Sequence, residues 1–178
     1  NLSDIYVATC DKEIVDYINS IDGKAIMTKD IHERATDRTG EAFENIVDSI
    51  EENIDGALMI QGDEPLLNPA LLDEMITFHA NQKSPYITNL ISKISDIDEF
   101  NNPNVVKVVY NTIDNILYMS RSPISSNAIF NGKLPMWKQL GLILFSKYAL
   151  KTYTKLAPTE LEIIESVDMN RILENNLK

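Results

Sequence analysis

Short apolar runs alternate with helically spaced apolar positions along the first half of the chain. Residues 4–9 form a β-branched run, and Asp11 opens a segment with Ile14, Val15, Ile18 and Ile21 at helical spacing. This pattern predicts a strand followed by a helix that Gly23 closes. Residues 24–27 resemble a second short strand. After the polar stretch 28–35, Thr36 stands where an N-cap would, and the next helix runs to about residue 53. Gly56–Ile60 is continuously apolar, the character of a central parallel strand covered on both faces. It ends in Gln61-Gly62-Asp63-Glu64-Pro65. Pro69 suits the first turn of a helix carrying Leu71, Leu72, Met75, Ile76 and His79 on one side, and residues 86–91 make a further strand. Repeated strand–helix alternation predicts an α/β sheet.

Beyond residue 100 the pattern changes. Residues 105–110, a turn at 111–115 and a second run at 116–119 form a hairpin, an antiparallel element. A loop over 122–135 leads to a strand at 137–145 and then to helical segments at about 147–154 and 160–176. No repeat, low-complexity tract or linker interrupts the chain, so residues 1–178 read as one domain.

Composition narrows the partners. With 44% hydrophobic residues the chain can bury a substantial core, and a net charge of −11 argues against nucleic acid as a partner. The longest apolar runs, Gly56–Ile60 and residues 140–145, fall far short of the roughly 18 residues that span a bilayer, so no membrane partner is expected. A single cysteine, Cys10, excludes an intrachain disulfide framework and fits a cytoplasmic location; it reads as a buried, inert thiol. The first residues lead into a strand-like run rather than a signal peptide.

Four polar clusters carry candidate chemistry. In open α/β sheets ligands bind beyond the carboxyl ends of strands, which is where Gln61, Asp63 and Glu64 fall. Asp63 can hold a hard cation through oxygen, Gln61 offers both donor and acceptor, and Gly62 lets backbone approach a ligand; the same residues equally make a simple turn. In the stretch 32–38, Arg34 or Arg38 can meet an anion near a helix start, or merely decorate it. Arg121, after the hairpin, can fork onto a carboxylate or phosphate, or lie exposed. Glu162 and Glu165 are three apart on a helix, either as ligands or as a solvated acidic face. His32 and His79 are too few and too far apart to suggest a zinc site, and His79 reads as structural.

Taken in order, these pieces resemble the 3-deoxy-manno-octulosonate cytidylyltransferase (CMP-KDO synthetase) family. The resemblance rests on Ile5-Tyr6-Val7-Ala8-Thr9, Met27-Thr28 followed by His32, Thr36-Asp37-Arg38, Gln61-Gly62-Asp63-Glu64-Pro65, Pro103-Asn104-Val105-Val106-Lys107, Leu117-Tyr118-Met119-Ser120-Arg121-Ser122-Pro123, and Leu161-Glu162 with Ile164-Glu165. It implies a Rossmann-like nucleotide-diphospho-sugar transferase fold, a mixed sheet with an antiparallel dimerisation insertion. It also implies Mg²⁺ as cofactor, CTP and an acidic sugar as substrates, and activation of that sugar for lipopolysaccharide biosynthesis. On this analogy Asp63 is the metal ligand and, with Gln61, catalytic. Thr36, Arg38 and Gln61 surround the nucleotide, while Arg121, Gln139, Glu162, Glu165 and Asp168 serve the sugar acid. A homodimer burying Phe130, Met136 and Trp137 is expected on the same grounds.

Some of the family's pattern departs here. A phosphate-cradling loop before residue 4 and a second metal-binding aspartate beyond Lys178 lie outside residues 1–178, so these residues read as the middle of a longer enzyme and are expected to show little catalysis alone. Arg34-Ala35-Thr36 replaces Ser-Gly-Thr, Gln139 and Ile143 replace a histidine and a tyrosine, and Met169 stands where glutamine is frequent. The acceptor that the resemblance implies is a 2-keto-3-deoxy sugar acid, 3-deoxy-manno-octulosonate first, and those exchanges raise a related acidic sugar as the alternative acceptor. The alternatives are a cytidylyltransferase for another 2-keto acid or a phosphonate, and a catalytically silent binding module. A nicotinamide-dependent dehydrogenase is excluded, because no Gly-x-Gly-x-x-Gly follows a strand.

Overall fold

The computed structural model describes residues 2–49, 54–82, 87–124 and 136–177. Strand β1 (Val7–Thr9) pairs in parallel with β2 (Ala25–Met27), bridged by helix α1 (Lys12–Ser20). Asp11 caps α1 by accepting the Glu13 N–H at 2.8 Å. The residue at positive φ after α1 is Asp22, not Gly23; Gly23 instead lies tight against the Ile18 side chain.

Helix α2 (Ala35–Ser49) buries Thr36, Gly40 and Phe43, a stripe at spacings of four and three. It begins one residue before Thr36, which therefore lies within the first turn and does not cap it. The stretch 50–53, where the predicted helix would end, lies outside the described residues.

β3 (Gly56–Ile60), β4 (Ile87–Lys93), β5 (Lys107–Tyr110), β6 (Ile116–Ser120) and β7 (Trp137–Ser146) form a second sheet in which every pairing is antiparallel. β7 is the shared neighbour of β3, β4 and β5. The sequence pattern suggested a parallel setting for β3, yet it runs antiparallel to β7. Continuous apolarity reports how a strand's faces are covered, not the direction of its neighbour. Gly56 is required where it stands, because a Cβ there would fall 2.0 Å from the Phe145 carbonyl oxygen. The predicted hairpin is present as β5 and β6.

Ile143 and Phe145 of β7 enter a core with Phe43, Met59, Leu150, Tyr153, Met169 and Ile172. Leu142 and Leu144 are buried on the alternate face, and helix α3 (Pro69–Asn81) packs on β4 and β7. Asn68 caps α3 through the Ala70 N–H, with Pro69 in its first turn. Helix α4 (Ile97–Asn101), absent from the sequence expectation, is started by Asp96 accepting from Glu99 N–H at 2.7 Å.

The C-terminal segment is α5 (Lys147–Tyr153), α6 (Glu160–Glu165) and α7 (Asn170–Glu174). The single helix expected over 160–176 is thus two, broken where Ser166 adopts a left-handed conformation at φ 51°. Among the described residues no helix is long and apolar enough to cross a membrane.

Candidate active site

A β-bulge builds the polar end of β3. Asn89 stands opposite Ile143 and Ile91 opposite Gln139, so residues 140–142 of β7 face Leu90 alone. On the other edge β7 stays in register with β3 up to Ile60 and Leu142. The ladder then continues into the loop after β3: the Gln61 N–H donates to the Gly141 carbonyl at 2.9 Å, and the Gly141 N–H donates to Glu64 Oε1 at 2.9 Å. Gly141 is held by the Gln61 side chain, since a Cβ there would meet Gln61 Cβ at 2.9 Å. Residues 61–64 are thereby pinned at both ends.

Between those pins Asp63 is exposed, and its carboxylate makes no hydrogen bond or ion pair among the described residues. Glu64 is committed to Gly141, leaving Asp63 as the carboxylate this loop presents. Among the described residues no group of three or more His, Cys, Asp or Glu side chains is gathered for a metal. The donor set fits Mg²⁺ of the kind held by one or two carboxylates plus waters and substrate phosphates, and does not fit an all-protein cage.

Gln139 lies on the same stretch of β7. Its Nε2 donates to Asn89 Oδ1 at 2.7 Å, and the Asn89 amide nitrogen donates to the carbonyls of Leu140 and Leu142 at 3.1 and 3.3 Å. Gln61, Asp63 and Gln139 are therefore joined through one bulge.

Arg38 sits elsewhere, at the ends of β1 and β2. Its guanidinium donates to Thr28 Oγ1 at 2.5 Å and to the Lys29 carbonyl at 3.4 Å. The Lys29 N–H in turn donates to Glu41, which pairs with His32. That pairing, against the opposing effect of burial, holds the Glu41 carboxyl below its usual range. Cys10, expected to be buried, is half-buried and donates to Asp30 Oδ1 at 3.3 Å. Cys10 follows β1 directly and thus shares the open end of the small sheet.

The remaining predicted residues form a support behind these loops. Thr36 is buried and donates to Asp168 Oδ2 at 2.6 Å. Burial pushes the Asp168 carboxyl up, against the Thr36 hydrogen bond and the Arg34 charge. Glu162 is buried and accepts from Arg171 at 2.6 and 2.7 Å, with Arg34 3.6 Å away; Arg171 also holds Asp37.

Glu165 faces a different set: Tyr118 Oη, Ser120 Oγ and the Arg121 N–H donate to it at 2.7, 2.9 and 2.8 Å. Burial acts to raise its carboxyl, but these donors together outweigh it and hold the group below its usual range. Of the two readings of Glu162 and Glu165, the solvated acidic face is not what the fold builds, and among the described residues the two carboxylates share no hydrogen-bond partner. Arg121 forks onto backbone carbonyls of Glu165, Ser166 and Pro103, not onto a free anion.

Asn89, Gly141, Glu41 and Arg171 carry much of this arrangement and were not among the candidates from sequence, whereas Glu64 was named with Gln61 and Asp63. His79, read as structural, is half-buried and paired with Thr88 Oγ1 at 2.8 Å; burial lowers its pKa. A cavity of 330 Å³ lies apart from all these residues, walled by Phe100, Tyr110 and Trp137. Tyr110 and Trp137 meet edge to face at 6.0 Å. Met136 and Trp137 are half-buried within the chain, and Phe130 lies outside the described residues.

A family model described as cytidylyltransferase matches residues 1–178. The chain is 34% identical to a 3-deoxy-manno-octulosonate cytidylyltransferase of Geobacter metallireducens, over 99% of this chain and 71% of the relative. It is 35% identical to one from Thermodesulfovibrio yellowstonii, over 99% of this chain and 72% of the relative. Among solved structures it is similar to a CMP:2-keto-3-deoxy-manno-octonic acid synthetase complexed with CTP. The TM-score is 0.85 and the identity 29%, over 99% of this chain and 70% of that one.

Proposed function

The chain belongs to the 3-deoxy-manno-octulosonate cytidylyltransferase family, and on that premise we propose that it is a nucleotidyltransferase activating 3-deoxy-manno-octulosonate (KDO) with CTP. The sugar's anomeric hydroxyl oxygen attacks the α-phosphorus of CTP, the bond from that phosphorus to the bridging oxygen breaks, diphosphate departs and the hydroxyl proton passes to solvent. The observation that carries this reading is Asp63, an exposed carboxylate on a loop tied to Gly141 at both ends, by the Gln61 backbone N–H and by the Glu64 carboxylate.

A divalent cation, Mg²⁺ in this reading, supplies charge neutralisation at the phosphates when bound. Asp63 would hold it, while Gln61 contacts nucleotide or sugar from the same loop. Arg38, fixed by Thr28 and Lys29, lies on the nucleotide side with Thr36 behind it. Gln139 faces the sugar acid, and Arg121, Glu162, Glu165 and Asp168 hold the walls through their internal bonds. No covalent nucleophile is required, because aligned reactants and a preorganised field provide the rate. A homodimer through the hairpin and β7, a cytoplasmic location and a place in lipopolysaccharide assembly complete the proposal. The half-buried Met136 and Trp137 and the single free thiol support it.

The test is CTP binding together with KDO- and Mg²⁺-dependent diphosphate release. Asp63→Asn should lower release roughly 100-fold or more, the scale of losing one preorganised electrostatic contact. Absence of CTP binding by the wild type overturns the reading. Residues 1–178 alone are expected to bind CTP with little release; binding without release that persists once the phosphate loop and second aspartate implied by the resemblance are joined to them marks a silent module.

A further inference from the structure

The bulge in β7 orients two amides in series. The carbonyls of Leu140 and Leu142, freed from the β4 ladder, accept from Asn89 Nδ2, as does the Leu90 carbonyl at 3.0 Å. A carbonyl oxygen only accepts, so the Asn89 amide can be turned one way: nitrogen into the bulge, Oδ1 outward. That outward oxygen accepts from Gln139 Nε2 at 2.7 Å, which turns the second amide by the same logic. Gln139 Oε1 is then left with no hydrogen bond among the described residues, on a side chain that is only half-buried.

We propose that Asn89 is a positioning residue that holds Gln139 with its Oε1 toward a hydroxyl group of the sugar acid, making the Asn89–Gln139 pair a specificity determinant for the acceptor and not for CTP. A fixed carbonyl oxygen attracts a hydroxyl donor and repels a carboxylate or phosphate, so Gln139 reads the polyol part of the substrate and not its acid group. A site built to bond a hydroxyl rejects analogues lacking it, because Gln139 Oε1, covered once the substrate is bound, is then left unpaired. This inference rests on the KDO cytidylyltransferase reading above.

The experiment is calorimetric titration of KDO and of CTP, separately, into the wild type, Gln139→Met, Asn89→Ala and the double variant. Gln139→Met keeps the length of the side chain and removes the acceptor; it should weaken KDO about tenfold or more and leave CTP affinity as it was. Asn89→Ala should weaken KDO to a similar extent alone and add nothing in the Gln139→Met background, the signature of acting through Gln139. If Asn89→Ala does not fold, Asn89→Ser, which still donates into the bulge but is too short to hold Gln139, takes its place. Unchanged KDO affinity in Gln139→Met overturns the inference, as do additive effects of the two substitutions. A wild type that does not bind KDO overturns the activity reading and this inference with it.

Discussion

Arg171 grips Glu162 with two hydrogen bonds, 2.6 and 2.7 Å, at a depth where both side chains are almost wholly out of solvent. The guanidinium also stacks 4.2 Å from the centre of the Tyr153 ring and holds Asp37 across to α2. Burial alone would lower the Arg171 pKa, but Glu162 and Asp37 more than reverse it and keep the group charged. Glu162 closes the start of α6 as well, accepting the Thr159 N–H at 3.1 Å. One arginine, through two ion pairs, thus joins α2, α6 and α7.

Breaking the Arg171–Glu162 pair should be costly, because one charge would remain buried without its partner. Arg171→Met is expected to destabilise the fold by about 3–5 kcal/mol. Urea denaturation followed by circular dichroism checks this; a loss under about 1 kcal/mol would show that the pair carries little.

Glu165 predicts a pH effect. Its carboxyl is held below the ordinary value of 4.5, so its stabilisation is complete above that value and is lost as pH falls through the lowered folded value. Glu165→Gln should therefore be less stable than wild type at neutral pH, with the gap closing below about pH 4.5. Parallel melting curves from pH 7 to pH 3 measure it; a gap constant across that range contradicts the assignment.

Asp168 predicts the opposite sign. Burial raises its carboxyl above the ordinary 3.8, so the favourable protonated state is fully present below that value and its benefit is lost as pH rises through the raised folded value. Asp168→Asn keeps an oxygen to accept from Thr36 and carries no charge. It should be more stable than wild type at pH 7, with an advantage that shrinks on acidification. Equal melting temperatures at pH 7 would refute this.

Gly141→Ala places a methyl group against Gln61 and should push the loop 61–64 off its anchor. We expect a stability loss of about 1–3 kcal/mol and weaker binding of CTP in the presence of Mg²⁺. Unaltered CTP affinity in a folded variant would separate this loop from the nucleotide.

Much of the fold was legible because caps and turns are local. Asp11 and Pro69 mark their helices within a few residues, and the hairpin announced itself through a polar turn between β-branched runs. Strand direction was not legible for β3, since what decides it is β7, some eighty residues later in sequence. The break at Ser166 was hidden because a left-handed residue other than glycine leaves little compositional trace. Among the candidate site residues, Gln61 and Asp63 stood out by their place after an apolar strand and Gln139 through the resemblance, but Asn89 and Gly141, which hold them, could not be named. Asn89 matters only because a bulge 51 residues away exposes the Leu140 carbonyl. Thr36, Glu162 and Asp168 looked like ligands in sequence; in the fold Thr36 bonds Asp168, and Glu162 bonds Arg171.

β7 carries two rulers at once. Counted from Ser146 it keeps step with β3, and counted from Trp137 it keeps step with the far half of β4 and with β5. The two counts disagree, and the stretch between Gln139 and Ile143 absorbs the difference. Deleting one residue there would turn the side chains beyond it to the opposite face, setting Ile143 and Phe145 where Leu142 and Leu144 now lie. Lineages of this protein should therefore tolerate changes of identity at positions 140 and 142 far more readily than any change in the number of residues between those two marks.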